Sequence, residues 1–415
     1  MKISGVEWIG EIPTNWDVMP IGKLYKLRNE KVSDMDFEPL SVTKQGIVPQ
    51  LENVAKSNNH NDRKKVLAGD FVINSRSDRK MSSGTSIYDG SVSLINIVLK
   101  SKRMVPEFTH YLLKNYGFAE EFYRWGSGIV ADLWSTRFEQ MKKIYVPAPN
   151  ASEQQKIASF LDEKVAHIDS ILEDTKKSIE YLKTYKQSLI TEIVTKGLNA
   201  NVEMKDSGIE WIGEIPGHWK VVPLKYVSTI NDENLSNSTP KSYSFKYIDI
   251  GSVSLENGIE TMEETNFKSA PSRARRKVRK NDIIISTVRT YLKAIALVSD
   301  SDDIIVSTGF AVIRPAQHCV NPLFLSYTLK SDYFTEKVRA HSYGIAYPSI
   351  TSSEITKMKI VLPPLGEQSY LAEYIDEKVY QIDSLMKEKE QLIKNFESYK
   401  KSLIYEYVTG KKEVQ

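Results

Sequence analysis

Residues 153–196, EQQKIASFLDEKVAHIDSILEDTKKSIEYLKTYKQSLITEIVTK, return as residues 367–410, EQSYLAEYIDEKVYQIDSLMKEKEQLIKNFESYKKSLIYEYVTG. Roughly two in five positions are identical, among them Asp162-Glu-Lys-Val165, Ile168-Asp-Ser170 and Ser188-Leu-Ile190, which marks an internal duplication. Neither copy carries Pro, or Gly before its last residue, and both place apolar residues at steps of four and three. The first supplies Leu161, Val165, Ile168, Leu172, Ile179, Leu182, Leu189 and Ile193; the second Ile375, Val379, Ile382, Met386, Ile393, Phe396, Leu403 and Tyr407. That spacing lays one narrow stripe along a helix, the pattern of a coiled-coil seam. With the α-helical rise each helix is about 65 Å long. A lone helix leaves its stripe in water, and each copy supplies a matching one. The two helices are therefore expected to pack on each other, antiparallel, rather than to lie as surface helices on separate domains.

The ends are marked too. Pro147 and Pro149, then Pro363 and Pro364, stop whatever precedes. Ser152 with Gln155 three residues on reads as a capping box, and Gly197 and Gly410 are placed to end the helices. Thr175 and Lys389, then Lys186 and Lys400, interrupt the seam at equivalent places, where polar residues set register at some cost in stability.

A second repeat opens each copy. Ser4-Gly-Val-Glu-Trp-Ile-Gly-Glu-Ile-Pro13, continuing to Trp16 and Pro20, returns as Ser207-Gly-Ile-Glu-Trp-Ile-Gly-Glu-Ile-Pro216, continuing to Trp219 and Pro223. Trp8, Trp16, Trp211 and Trp219 are expected to anchor these turns by packing. The chain is thus two copies of one unit: turn, variable middle, long helix. The middles share a thinner frame. Gly69–Ser75 matches Asn281–Thr287 as a turn feeding a buried strand, and Val92–Leu99 matches Val306–Ile313 as another. Pro106–Lys114 matches Pro322–Lys330 as a short helix, Gly128-Ile129 matches Gly344-Ile345 in a loop, and Ile144-Tyr-Val matches Ile360-Val-Leu as a last strand. The fold expected is α+β: two similar α+β domains, 1–150 and 207–364, separated by an antiparallel coiled-coil pair, 151–197 and 365–411, with a polar linker at 198–206 and pseudo-twofold symmetry.

Chemistry for catalysis is missing. No Walker motif or nucleotide-binding glycine loop occurs, and no Asn-Pro-Pro-aromatic or Asp-Pro-Pro-aromatic tetrapeptide, the amino-methyltransferase signature. The six His residues sit apart without metal-ligand spacing, so neither a catalytic nor a metal site is expected. Acidic pairs Asp162-Glu163 and Asp376-Glu377 fit helix contacts better than acid–base work. Cys319 stands alone and no apolar run approaches membrane-spanning length, which points to the cytoplasm and away from membranes. A net charge of only +3 excludes a uniformly basic coat but allows local basic patches.

Such patches occur in expected loops at equivalent places. Arg63, Lys64 and Lys65 correspond to Arg273, Arg275, Arg276 and Lys277; after the matching strands come Arg76, Arg79 and Lys80, and Arg289, Tyr291 and Lys293. Arg grips phosphates or reads guanine bidentately, and Lys supplies phosphate charge. Asn74, Ser75, Ser286 and Thr287 are placed to offer neutral hydrogen bonds to base edges. Any one of these charges can be a solvated face, but their repetition favours DNA. The loops Trp125-Gly-Ser-Gly-Ile-Val130 and His341-Ser-Tyr-Gly-Ile-Ala-Tyr347, with Tyr343 a candidate contact, either enter a groove or close a core.

Two variable domains, each opened by GxEWIGEIPxxW and closed by a proline-led entry into an EQ-initiated helix, resemble the specificity subunit of a type I restriction-modification system. The resemblance spans essentially the whole chain. It implies a non-catalytic subunit whose middles recognise double-stranded DNA and whose helices are spacers that also dock two adenine methyltransferase subunits, to which restriction subunits add. S-adenosylmethionine, ATP and Mg then belong to the partners, with no cofactor on this chain. No base-contact position transfers, because the middles are where family members diverge. Two similar readers with different loops imply an asymmetric bipartite target. The rival readings are a coiled-coil adaptor that binds only proteins and a stand-alone methyltransferase or nuclease.

Overall fold

The computed structural model describes residues 1–50, 62–128, 134–300 and 303–414. Two compact units are present, Met1–Lys176 with Glu390–Gln415, and Lys177–Lys389. These are cut differently from the segments expected from the sequence. Each unit takes part of both long helices, Ala151–Lys196 and Leu365–Val408, so neither helix is a domain of its own. Among the described residues no helix is long and apolar enough to cross a membrane.

The first helix is capped by Asn150, whose Oδ1 accepts from the Glu153 amide at 3.0 Å. The capping box expected at Ser152 is thus corrected: Asn caps as well as Ser and stands directly after Pro149, leaving Ser152 inside the first turn. The Gln of each Glu-Gln pair is buried. Gln154 Nε2 donates to Pro149 O at 2.8 Å and its Oε1 accepts from Val105 N at 2.7 Å. Gln368 repeats both bonds with Pro363 O and Asn321 N, each at 2.8 Å. A buried amide satisfied at both ends ties the helix start to the unit it leaves.

Within the first unit Leu161, Val165, Ile168 and Leu172 share one apolar cluster with Ile393, Phe396, Leu403 and Tyr407. The Phe160 and Tyr407 rings lie 4.5 Å apart, and Lys400 Nζ donates to Asp169 at 2.6 Å. Partners on the second helix thus descend as the first helix ascends. In the second unit Leu189, Ile190, Ile193 and Val194 cluster with Leu371, Ala372, Ile375 and Val379. Lys186, a buried interruption of the stripe, pairs with Asp383 at 2.6 Å, the counterpart of Lys400 with Asp169. Ile179 and Ile382 are buried, while Leu182 and Met386 are half-buried. The acidic pairs are explained by helix contacts: Tyr111 donates to Asp162 and Tyr327 to Asp376, both at 2.7 Å.

The repeated turns are sockets for helix ends. In the first unit Trp16 is buried against Gly410, and Lys411 Nζ donates to Ile9 O at 2.7 Å. In the second unit Trp219 is buried against Gly197. Trp211 departs from expectation, standing about half exposed at 54%. Both terminal glycines are left-handed, at φ +72° and +73°.

Each middle is built on a four-stranded antiparallel sheet of the same order. It runs Ser83–Thr85, Phe71–Asn74, Asn96–Ser101, Tyr25–Leu27 in the first unit, and Ile295–Leu297, Ile283–Ser286, Phe310–Pro315, Ser228–Ile230 in the second. Alternation sends Ile283 and Ile285 into one core and Ile284 into another, so both faces are covered. The single strands expected over Val92–Leu99 and Val306–Ile313 are corrected. Each apolar run is broken by a turn into two strands that join different sheets, Gly90–Ser93 and Asn96–Ser101, then Ile304–Ser307 and Phe310–Pro315. The short helices form as expected at Pro106–Lys114 and Pro322–Lys330, each followed by a second, Tyr116–Arg124 or Asp332–Ala340. The outer sheets differ: three strands in the first unit, four in the second, one pair of them parallel.

A Cβ on Gly410 would fall 2.3 Å from Pro13 Cδ, on top of its left-handed φ. Gly410→Ala is expected to cost roughly 2–4 kcal/mol, left-handed strain plus overpacking. Gly208→Ala, at φ +66° with nothing within 4 Å, should lose only about 1 kcal/mol. Thermal unfolding of both variants checks this ordering; equal losses would mean the socket is not close-packed.

Candidate nucleic-acid interface

The first basic stretches are strands, not the loops expected: Arg63–Val66 and Ala274–Lys277. Both faces of these strands are partly covered, which removes several of these charges from solvent. Arg63 is buried, donating to Ser91 Oγ at 2.8 Å and Ser91 O at 3.0 Å. Lys64 donates to Asn96 O at 2.7 Å, and burial pulls its ammonium pKa down. Lys65 pairs with Glu30 at 2.9 Å over the Phe37 ring. In the second unit Arg276 is half-buried with its pKa lowered by burial, Arg275 lies 4.6 Å over the Phe267 ring, and Lys277 is half-buried. Arg273 is exposed. Of these seven residues only Arg273 therefore stands open to a polyanion; Arg63 is a framework residue.

The second basic stretches lie beside the glycine loops, an arrangement built alike in both units. In the first, Ser77 N donates to Trp134 O and Thr136 N to Ser75 O, both at 3.0 Å, while Ser127 and Ser135 exchange backbone bonds at 3.0 and 3.1 Å. In the second, Ile350 N donates to Thr287 O at 2.9 Å, and Tyr343 and Ser349 exchange bonds at 2.8 and 2.9 Å. Thr287 N in turn donates to Gly309 O, and Thr308 N to Arg273 O, both at 2.8 Å, so Arg273 joins the same edge. The first edge thus joins the strand-end segment 75–77 to both arms of the glycine loop, Ser127 and Trp134–Thr136; the second joins Thr287 to both arms, Tyr343 and Ser349–Ile350, and adds Arg273. Residues 129 and 130 of the first glycine loop lie outside the described residues.

On these edges Arg76, Arg79 and Trp125, and Arg289, Tyr291 and Tyr343, are exposed. Among the described residues no carboxylate pairs with Arg76, Arg273 or Arg289, whereas Arg79 lies 3.6 Å from Asp78. Lys80 and Lys293 instead tie the edge to the second short helix. Lys80 pairs with Glu120, and Lys293 with Glu336 at 2.9 Å; each Lys holds its partner carboxyl below the usual carboxylate range. Asn74 shapes the turn, its Oδ1 accepting from Arg76 N at 3.0 Å. Ser75, Ser286 and Thr287 are buried, so the base-edge role expected of them is corrected: Thr287 Oγ1, for one, donates to Gly309 O at 2.8 Å.

Sequence reasoning missed the exposed Trp134 and the two carboxylate partners, although Glu120 and Glu336 follow the twin short helices at corresponding places. It also missed a twin ion pair at the start of the strand that leads to each edge. Arg28 grips Asp70 through Nε and Nη2 at 2.6 and 3.1 Å. Arg314 grips Asp282 at 3.0 and 2.8 Å. The two Asp residues are equivalent, but the Arg residues come from neighbouring strands of the shared sheet.

Residues 13–181 and 216–395 match the family described as the type I restriction modification DNA specificity domain. The chain belongs to this family. Each matched stretch contains one of the two edges. The putative type I restriction enzyme MjaX specificity subunit of Methanocaldococcus jannaschii is 25% identical, over 98% of this chain and 96% of its own. The MjaVIII specificity subunit of the same organism is 25% identical over 97% and 94%. A chain solved in work on complex assembly and conformational transition of the type I R-M system shares the fold, with a TM-score of 0.73 at 15% identity over 96% of this chain and 98% of that one. The HsdS subunit from Thermoanaerobacter tengcongensis superposes with a TM-score of 0.57 at 16% identity, over 99% and 100%.

Framework and edge arginines should separate by experiment. Arg314→Ala leaves Asp282 buried without its partner and is expected to cost roughly 3 kcal/mol or more of stability. Arg289→Ala, exposed and held only over the Tyr347 ring, should stay within about 1 kcal/mol of the parent yet lower the log–log salt slope of DNA binding by about 0.9. Paired melting and salt-titration measurements check this; a salt slope unchanged by Arg289→Ala would make it a solvated charge.

Proposed function

We propose that this chain is the specificity subunit of a type I restriction-modification complex, reading an asymmetric bipartite target in double-stranded DNA. The observation that carries the proposal is the twin edge. Two units present the same construction, a strand-end segment bonded to a glycine loop whose arms pair with each other, with Arg76, Arg79 and Trp125 on one and Arg273, Arg289, Tyr291 and Tyr343 on the other. A common frame with different surface residues suits two half-sites of different sequence.

In this reading the long helices form an antiparallel coiled-coil pair that spaces the half-sites. The seam clusters and the paired ties Lys400–Asp169 and Lys186–Asp383 support it. Half-sites read by such an arrangement lie about one helical turn apart, centre to centre. The chain itself is non-catalytic. Two adenine methyltransferase subunits dock on it and carry S-adenosylmethionine, restriction subunits add ATP- and Mg-dependent cleavage, and the complex works in the cytoplasm.

Mapping methylated adenines genome-wide, with and without this gene, tests the proposal. Methylation at one bipartite motif with unlike halves and an unread spacer should vanish with the gene. An unchanged methylome in a host that carries the methyltransferase partners would argue for a protein-binding adaptor. Methylation by the purified chain alone would argue for an enzyme.

A further inference from the structure

The glycine loop of the second unit has an unusual tip. Ile345 is fully exposed, flanked by Tyr343 at 71% and Tyr347 at 68% exposure. The loop is held at its base by the two Tyr343–Ser349 backbone bonds and turns at Gly344, whose φ of +105° is open to glycine alone. Arg289 enters from the neighbouring segment with its guanidinium 5.3 Å from the centre of the Tyr347 ring. Arg289 and Lys293, which flank the turn Thr290–Leu292, both sit in the left-handed region, at φ +51° and +48°. Non-glycine residues held there cost roughly 1 kcal/mol each, and such strain gathers at binding sites. Thr290 Oγ1 and Ser342 Oγ share a hydrogen bond of 2.8 Å that locks this turn to the loop. The structure thus spends stability to hold an apolar point beside an Arg that no carboxylate neutralises among the described residues.

We propose that Ile345 is a wedge inserted between stacked base pairs of the second half-site. This deepens, and rests on, the reading of the unit as a DNA reader. An aliphatic side chain exposed on a rigid base has no partner among the described residues. The positive charge of Arg289 and Arg273 on the same edge selects a polyanion over an apolar protein groove. Ile suits the task. Its β-branched side chain has little rotamer freedom to lose, and aliphatic residues are among those that unstack base steps. Tyr343 and Tyr347 stand on either side, where an aromatic face can stack on a base that the wedge has freed. Arg289, braced on Tyr347, reaches for the phosphate beside the opened step. The energetic consequence is selectivity without hydrogen bonds: flexible pyrimidine–purine steps open at less cost than stiff ones.

The test uses the full chain purified with its partner subunits, on a duplex carrying the target defined by its methylome. 2-Aminopurine replaces adenine at successive positions of each half-site. Binding of the parent complex should raise fluorescence several-fold at one step of the second half-site other than the methylated adenine. Ile345→Ser should abolish that rise, weaken target binding about tenfold, leave first-half-site signals unchanged and leave the melting temperature unchanged; Ile345→Leu should restore the signal. A quiet second half-site, or the same rise in Ile345→Ser, overturns the wedge. So does a binding loss reproduced by exchanging a thymine for uracil with the stack undisturbed, which would make Ile345 a methyl contact in the major groove. Both results leave the specificity reading standing. A parent complex that cannot tell its target from random duplex would sink that reading and the wedge with it.

Discussion

The seating of a helix end in an aromatic socket is the interaction on which each unit depends. Gly410 against Trp16 closes the first unit, and Gly197 against Trp219 closes the second. A fully buried Trp removes up to about 250 Å² from water, an upper bound of roughly 6 kcal/mol. That is a large share of the net stability of a domain. In both cases the helix comes from one repeat and the socket from the other. The buried Gln154 and Gln368 fasten the opposite end of each helix to the unit of its own repeat. Each repeat is therefore incomplete alone, and duplication supplies what the single copy lacks.

The same economy governs the middles. Chemical requirements persist while their sources drift. A buried Asp after the turn must be neutralised, and Asp70 and Asp282 are, but by Arg28 from one strand and Arg314 from its neighbour. Lys80–Glu120 and Lys293–Glu336 repeat as ties between edge and helix. Variation gathers instead at exposed edge positions, where a substitution disturbs no core and can change what is bound.

The duplication, the helices and the repeated turns were legible in sequence because each rests on a long pattern: period 3.5, a Gly-Pro-Trp spacing, a second copy to compare. The short helices at Pro106–Lys114 and Pro322–Lys330 were legible for the same reason. The continuous apolar runs over Val92–Leu99 and Val306–Ile313 hid a turn in each, since a buried strand and two strands split between sheets share one composition. The cap was misplaced from Asn150 to Ser152 because both are good caps a short distance apart. The site was only half legible. Charge showed where a polyanion could bind, but burial decides which charges are free. Arg63 and Arg276 look like Arg76 and Arg289 in sequence and differ only in which side of a strand or turn they occupy. Glu120 and Glu336, which claim Lys80 and Lys293, are brought there by tertiary structure alone.

A common frame carrying separable readers is the central claim, and a half exchange tests it most directly. Residues 21–146 contain the first sheet and edge and leave both sockets and both long helices intact. Replacing that segment with the corresponding segment of a relative, followed by methylome mapping, is predicted to change the bases of one half-site, with the other half-site unaltered. A hybrid that methylates motifs altered in both halves, or that keeps the parental motif entire, would contradict the account.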